Sequence, residues 1–468
     1  MVFAGGSAFA ADLGGNCCAD LEERVAELEA TTARKGNRKV SLTITGWVSS
    51  QLYWFDDGGE SNVYVTDNNN DLSSNFKFTG SAQIAPGWKA GYSLWIYTNR
   101  NSSLVHSSDG DDTGGALSVE NSYWWIESEK YGKVSLGLQS GAGDNAVLGT
   151  DFSGTLFPAN SVTFDGGFMR LRPSGQDSGA SSSKVGGYAI AGRWHQFNWC
   201  ESLGDVGAGI AGDCNGDRTD VIRYDSPTLA GFSLAASWGE DDRAEVKLAY
   251  AGEVAGFKLS LATAYGHSTD NGQSGSPANA TPVNPALVAD TDYWQIGGTV
   301  KHLASNLWLH VYWGQEFADN FTNGSNALGE PIPDKKTLYL KAGWSPKLNQ
   351  LGTTHFYGEY GFDDDAYGDL AKTGATCAAF RLDGNGAQGN SNLALACATD
   401  ANATTIVGSD MTRWGLGVVQ EIDAAAMSLW VKYRHHELDA SFEGPVSGRG
   451  NQGFDNLDMV LAGAVIFF

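Results

Sequence analysis

The residues best suited to do chemistry in this chain are charged, and their arrangement points to electrostatic sorting rather than covalent catalysis. Asp144, Asp151 and Asp165 fall in one long polar segment, about residues 140–217, with Arg170 and Arg172 following in the same stretch. Lys77, Lys341, Arg413, Lys432 and Arg434 instead sit inside segments where apolar and polar residues alternate, at positions of matching parity. An acidic loop set opposite a basic wall orients dipolar solutes and biases ion passage, most strongly where water is scarce.

Other chemistries lack their residues. The sequence holds no Gly-x-Ser-x-Gly nucleophile pattern, no His-Glu-x-x-His, and no phosphate-binding glycine loop before a helix. The runs Asp67-Asn68-Asn69-Asn70-Asp71 and Asp213, Asn215, Asp217 open like calcium loops but lack the glycine and distal glutamate that complete one. His435 and His436 are consecutive in an extended segment, so they face opposite sides and cannot share a metal without distortion. No metal, cofactor or catalytic set is therefore expected. A net charge of -24 excludes a general nucleic-acid binder, because phosphate affinity depends on Lys and Arg.

The elements that must position these charges are strands. No apolar run approaches the ~18 residues a membrane helix needs. From Val40 onward the period is two: Phe76, Phe78, Gly80, Ala82 and Ile84 share one face while Lys77, Thr79, Ser81 and Gln83 share the other. Ala244, Val246, Leu248 and Tyr250 oppose Arg243, Glu245 and Lys247 in the same way. A soluble sandwich would also alternate. The segment length of ~9–11 residues and the regular exchange of short turns with long loops instead fit a transmembrane barrel.

Tight turns are expected at Ala85-Pro86-Gly87, Glu129-Lys130-Tyr131, Ser226-Pro227-Thr228, Gly252-Glu253, Ala304-Ser305 and Ile422-Asp423. Long loops are expected at about 55–74, 100–115, 140–217, 268–290, 316–335, 363–411 and 438–456. Together they predict an all-β, transmembrane antiparallel β-barrel of about 16 strands over residues 40–468, with the loop at 140–217 folded inward as a constriction. Trp88, Tyr123, Trp124, Trp125, Trp344 and Tyr360 lie near strand ends, as interfacial girdles require. Trp95, Trp308, Tyr312 and Trp430 have inward parity.

Of six cysteines, Cys200 with Cys214 and Cys377 with Cys397 each lie within one polar, Gly-rich segment, which suits loop-stapling disulfides in an oxidising compartment. Residues 1–10 end in Ala8-Phe9-Ala10, a cleavage pattern that marks a signal-peptide remnant and a mature start at Ala11. Residues 11–36 form a periplasmic leader: Asp20 and Glu23 make a capping box, and Leu21, Val25 and Leu28 trace a short coiled-coil seam. Alone that helix is too short to be stable, so it depends on barrels already held together.

Three stretches resemble the Gram-negative porins, especially those of alphaproteobacteria. They are Glu129 to Gln139 (EKYGKVSLGLQ), Val221 to Ser233 (VIRYDSPTLAGFS), and the acidic helix Asp20 to Ala30 followed by the basic run Arg34 to Lys39. The resemblance implies an outer-membrane homotrimer of such barrels, passing small hydrophilic solutes and ions by passive diffusion without a cofactor. The last strand places Val460, Ala462, Ala464, Ile466 and terminal Phe468 on one face, which looks like the insertion signal read by the barrel assembly machinery. In some relatives the mature Ala-Asp is joined to peptidoglycan, and Ala11-Asp12 stands at that place. Lipid and lipopolysaccharide are the remaining partners implied.

The chain departs from the family pattern at Leu138, where a basic residue often follows the glycine, and in the length of the 140–217 segment. Acid outside the barrel should concentrate cations near the mouth, so weak cation selectivity is expected, although the basic wall argues the other way. A substrate-selective sugar or anion channel and a structural envelope tether are the alternative readings.

Overall fold

Each strand alternates because one face meets hydrocarbon and the other does not. The computed structural model describes residues 39–468 apart from 69–71, 99–100, 107–116, 163, 173, 175–183, 186–187, 190–192, 199–213, 215–217, 240–241, 272–288, 320–333, 367–404 and 444–450. The signal remnant, the leader with Leu21, Val25 and Leu28, and Cys200, Cys377 and Cys397 lie outside the described residues.

Among the described residues, sixteen strands close one antiparallel sheet. They are β1 (Thr43–Asp56), β2 (Asn75–Ala85), β3 (Trp88–Tyr97), β4 (Ser118–Ser128), β5 (Gly132–Ser140), β6 (Arg218–Asp225), β7 (Phe232–Gly239) and β8 (Ala244–Val254). The second half comprises β9 (Phe257–Asn271), β10 (Ala289–His302), β11 (Leu307–Asp319), β12 (Lys335–Trp344), β13 (Thr354–Asp364), β14 (Thr405–Ile422), β15 (Met427–Glu443) and β16 (Leu457–Phe467). Every strand pairs with its neighbours in sequence, and β1 closes the ring by pairing with β16 from Trp47↔Phe467 to Asp56↔Asp458. Terminal Phe468 extends that seam, its amide donating to the Gly46 carbonyl and its carbonyl accepting from the Gly46 amide. Among the described residues the sixteen strands thus form a ring closed on itself, as a sheet in lipid requires.

The outer surface carries exposed Val48, Leu52, Ile84, Leu248, Leu416 and Val431, a band that only hydrocarbon can cover favourably. Trp88 packs against Tyr131 (6.2 Å between ring centroids) and Trp344 against Phe356 (6.1 Å) beside the short turns, as an interfacial girdle does. Hairpin β14–β15, at 18 and 17 residues, is longer than the ~10 residues that span a bilayer. Its connecting turn is short, so the excess projects on the side of the long loops.

Several expected boundaries shift, with β14 beginning at Thr405 and β15 running to Glu443, inside the loops expected at 363–411 and 438–456. The turn placed at Gly252-Glu253 falls at Ala255-Gly256, where both residues take positive φ (49° and 83°) as a two-residue hairpin turn demands. The loop expected from residue 55 is shorter, because Ser61–Thr66 forms a further strand against the outer end of β1. Its Val63 and Val65 lie on the opposite face from Tyr64, the same two-residue period read elsewhere.

The inner face does not line water throughout. On β14, β15, β16 and β1 the inward residues Met411, Leu438, Leu457, Met459, Leu461, Tyr53 and Phe55 are apolar and buried. They pack against Phe164, Met169, Leu171, Trp194 and Phe197 of the segment between β5 and β6, forming an apolar core inside the barrel. A carboxylate at Met459 places an unpaired charge in that core, at a cost of several kcal/mol. Met459→Asp is therefore expected to leave a heat-modifiable barrel but to expose residues 141–198 to limited proteolysis. Unchanged cleavage would show that the core does not hold this segment.

Candidate functional site

The described residues between Gly141 and Asn198, here the inner loop, turn into the barrel straight after β5 and are tied to successive strands. Near its start, the Ala142 amide donates to Ser237 Oγ (2.8 Å) and the Gly143 amide to Glu245 Oε2 (2.8 Å). Gln295 of β10 then takes both roles, accepting from the Val147 amide (3.2 Å) and donating to the Gly143 carbonyl (3.0 Å). Gly154, with φ of 81°, lies so close to the His355 imidazole that a Cβ would meet it at 2.1 Å, so a side chain there would strain the backbone and force the ring to move.

Farther along, charge takes over. Lys341 of β12 meets Asp151 at 2.6 Å and donates to the Ala159 carbonyl at 2.7 Å. On β15, Lys432 meets Asp165 at 2.5 Å and donates to the Pro158 carbonyl at 2.8 Å, while Arg434 binds Asp165 at 2.8 Å and Glu359 of β13 at 2.9 Å. Ser103 and Tyr339 complete the set, donating to Asp165 (2.6 Å) and Glu359 (2.7 Å). Arg413 of β14 donates to the Ser161 carbonyl at 2.9 Å.

The side chains of Lys341, Lys432, Arg434, Asp151 and Asp165 are 0% exposed. They touch one another and the inner loop rather than water. Such a cluster is held by mutual satisfaction: removing one partner of a buried pair costs about 3–5 kcal/mol, since the other charge is left uncompensated. Burial pushes the Asp165 carboxyl up, but Lys432 and Arg434 outweigh it and hold it down at about 2. Burial likewise raises Asp151, and Lys341 with His310 more than reverses it. Asp144 keeps the opposite balance, because burial pushes it up to about 6 against the pull of Arg218.

The remaining candidates lie apart from this cluster. Arg172 binds Asp57 at 3.0 Å beyond the end of β1, and Arg170 bridges to Arg193 through the main chain. Lys77 stands on β2, its ammonium 4.9 Å from the Trp95 ring centroid. Trp308, Tyr312 and Trp430 are buried beneath the inner loop, whereas Trp95 keeps part of its surface. Cys214 is disulfide-bonded. Among the described residues no three His, Cys, Asp or Glu side chains gather as a metal site.

Glu359 was absent from the sequence expectation, although its signal was present: it is an acid in the middle of a strand at inward parity with Tyr357 and Asp363. Ser103 and the carbonyls of Pro158, Ala159 and Ser161 had no such signal. Main-chain acceptors are invisible to residue type.

The inner loop therefore covers the wall formed by β10 to β16 and β1. The inward residues of β2 to β9 stay more open: Lys77, Thr79, Tyr123, Lys133, Arg223 and Lys247 are all partly exposed. A cavity of about 240 Å³ lies against this side, lined by Thr43, Lys77, Thr79, Ser93, Tyr123 and Trp125 among others. Such an interior passes water and small solutes alongside a fixed internal constriction.

Comparison with known proteins agrees with this architecture. The family model of the Gram-negative porins matches residues 1–452. No curated protein matches the chain. Among solved structures, the chain is similar to an anion-selective porin from Comamonas acidovorans (15% identity, TM-score 0.51, covering 92% of this chain and 100% of that one). It is also similar to OmpF of Salmonella typhi (13% identity, TM-score 0.46, covering 92% and 98%) and to the outer-membrane channel DcaP of Acinetobacter baumannii (10%, 0.46, 93% and 99%). Matched over nearly its whole length and folded as a closed sixteen-stranded barrel, the chain belongs to the Gram-negative porin family of integral outer-membrane channels for passive diffusion.

Proposed function

We propose that this porin is a general diffusion channel, not an enzyme, assembled as a homotrimer, in which solutes pass along the β2–β9 wall while the inner loop is fixed to the opposite one. The observation that carries this reading is the asymmetry of the interior, charge-locked and dry on one side and polar and open on the other. Purified protein reconstituted in planar bilayers is expected to give steady ohmic conductance that closes in three equal steps, one per subunit. Channels that need a ligand to open, or none at all, would sink it.

Several further attributes belong to the same reading. The stretches around Glu129 to Gln139 and Val221 to Ser233 favour the alphaproteobacterial branch of the family. The leader seam of Leu21, Val25 and Leu28 would support the trimer from the periplasm, and Ala11 would offer a peptidoglycan attachment point. Phe468 would serve the barrel assembly machinery, and lipopolysaccharide would surround the outer loops. Cys200 would pair with Cys214, and Cys377 with Cys397. The sugar-selective alternative gains nothing from Trp308, Tyr312 and Trp430, whose rings lie under the inner loop without a free face for a sugar.

In this reading Asp165, Lys432, Arg434 and Glu359 latch the loop and set pore size indirectly. Asp165 has a folded value near 2, below the roughly 3.9 of an unfolded chain, so its stabilising contribution is complete above that unfolded value and is lost as pH falls through about 2. Between pH 7 and 4 the latch is expected to hold, with conductance constant; near pH 2 current noise should rise as the loop loosens. Asp165→Asn is expected to bring that noise to neutral pH, because two buried cations are left facing one carboxylate. A quiet Asp165→Asn channel of unchanged conductance would remove Asp165 from the latch.

A further inference from the structure

We infer that this channel prefers anions, and that the preference is set by Lys77 and Lys247 on the open wall, together with Lys301 at the periplasmic end of β10, rather than by the charges around Asp165. The inference rests on the diffusion-channel reading and specifies what that channel favours.

The three lysines have inward parity on β2, β8 and β10, and all are partly exposed. Among the described residues none of them makes a salt bridge. The other cations of this wall are answered by acids. Arg218 binds Glu120 at 2.9 Å and Arg243 binds Glu245 at 2.8 Å, toward the extracellular end where Asp144 also lies. Lys89 faces Glu127 and Lys258 faces Glu253 across paired strands near the periplasmic turns. Asp225 alone serves both Arg223 (2.8 Å) and Lys133 (3.4 Å). Glu421 of β14 lies near Lys301 while binding His355 at 3.1 Å, and Asp225, Asp144 and Glu245 act on Lys247. With Glu421 and Asp225 included, Lys and Arg still outnumber Asp and Glu from the middle of the passage to its periplasmic mouth.

The opposite wall does not offset it. Asp151, Asp165 and Glu359 are engaged with Lys341, Lys432 and Arg434, and their side chains have almost no contact with water. The net charge of -24 belongs to the whole chain, and acids such as Asp364, Asp410 and Asp439 stand toward the outer ends of β13, β14 and β15. Charge separated from the passage by more than about 8 Å of physiological salt solution is largely screened there, whereas partly exposed lysines act on an ion beside them. The favoured solutes would be small anions such as chloride, inorganic phosphate and short carboxylates.

The test is the reversal potential of the reconstituted full-length protein across a potassium chloride gradient. The wild type is expected to be chloride-preferring, and Lys77→Glu, Lys247→Glu and Lys301→Glu should each lower the chloride-to-potassium permeability ratio by about threefold, the effect of reversing one charge several ångströms from the ion path in water. Lysine-to-glutamine changes at the same positions should give smaller shifts in the same direction and keep the test readable if a glutamate variant fails to fold. Open channels that prefer potassium, or a ratio unmoved by all three changes, would overturn the inference. Absence of channels would instead count against the diffusion-channel reading itself.

Discussion

A backbone amide in hydrocarbon has no water to bind, and this constraint sets the terms for everything else in the molecule. A sheet can meet it only by closing on itself, so β1 must find β16 and every strand between them must pair on both sides. Sixteen strands make a ring too wide for its own inward side chains to fill. The interior must then be occupied by solvent, by another part of the chain, or by both. This chain does both, and divides the space lengthwise.

The division follows from how the two walls satisfy their inward groups. On the β12 to β15 side the wall presents ammonium and guanidinium groups, and the loop brings carboxylates and main-chain carbonyls to meet them. Neither partner could remain dry without the other, since a buried charge is tolerated only when paired and hydrogen-bonded. The arrangement contributes little net stability over an apolar equivalent, but it admits one register of loop against wall. On the other side small polar residues and part-hydrated lysines do not need a covering segment. Specificity of placement and openness to solvent are thus separate tasks assigned to separate walls.

Much of the fold was legible in the sequence because a two-residue period and short turns are local signals. Strand parity put Lys341, Lys432 and Arg434 inward and Ile84 and Leu248 outward without reference to any contact. What the period could not show was the company those residues keep. Asp151 lies 190 positions from Lys341, and Asp165 more than 260 from Lys432 and Arg434; no local pattern links them. β16 did carry a warning: Leu457, Met459, Leu461 and Val465 alternate with Val460, Ala462 and Ile466, so both faces are apolar. A strand facing lipid on one side and water on the other has no reason to read that way, and the buried cluster supplies the reason.

That cluster sits at a particular place. Tyr53 and Phe55 come from the first strand, and Leu457, Met459 and Leu461 from the last, so the joint where the ring is zipped shut is also glued from within by the rings of Phe164 and Trp194. Prying these two edges apart would mean extracting a greasy knot as well as breaking a ladder of amide bonds. One greasy contact thus does two jobs at once, seating the inner loop and backing the joint between the first and last strands.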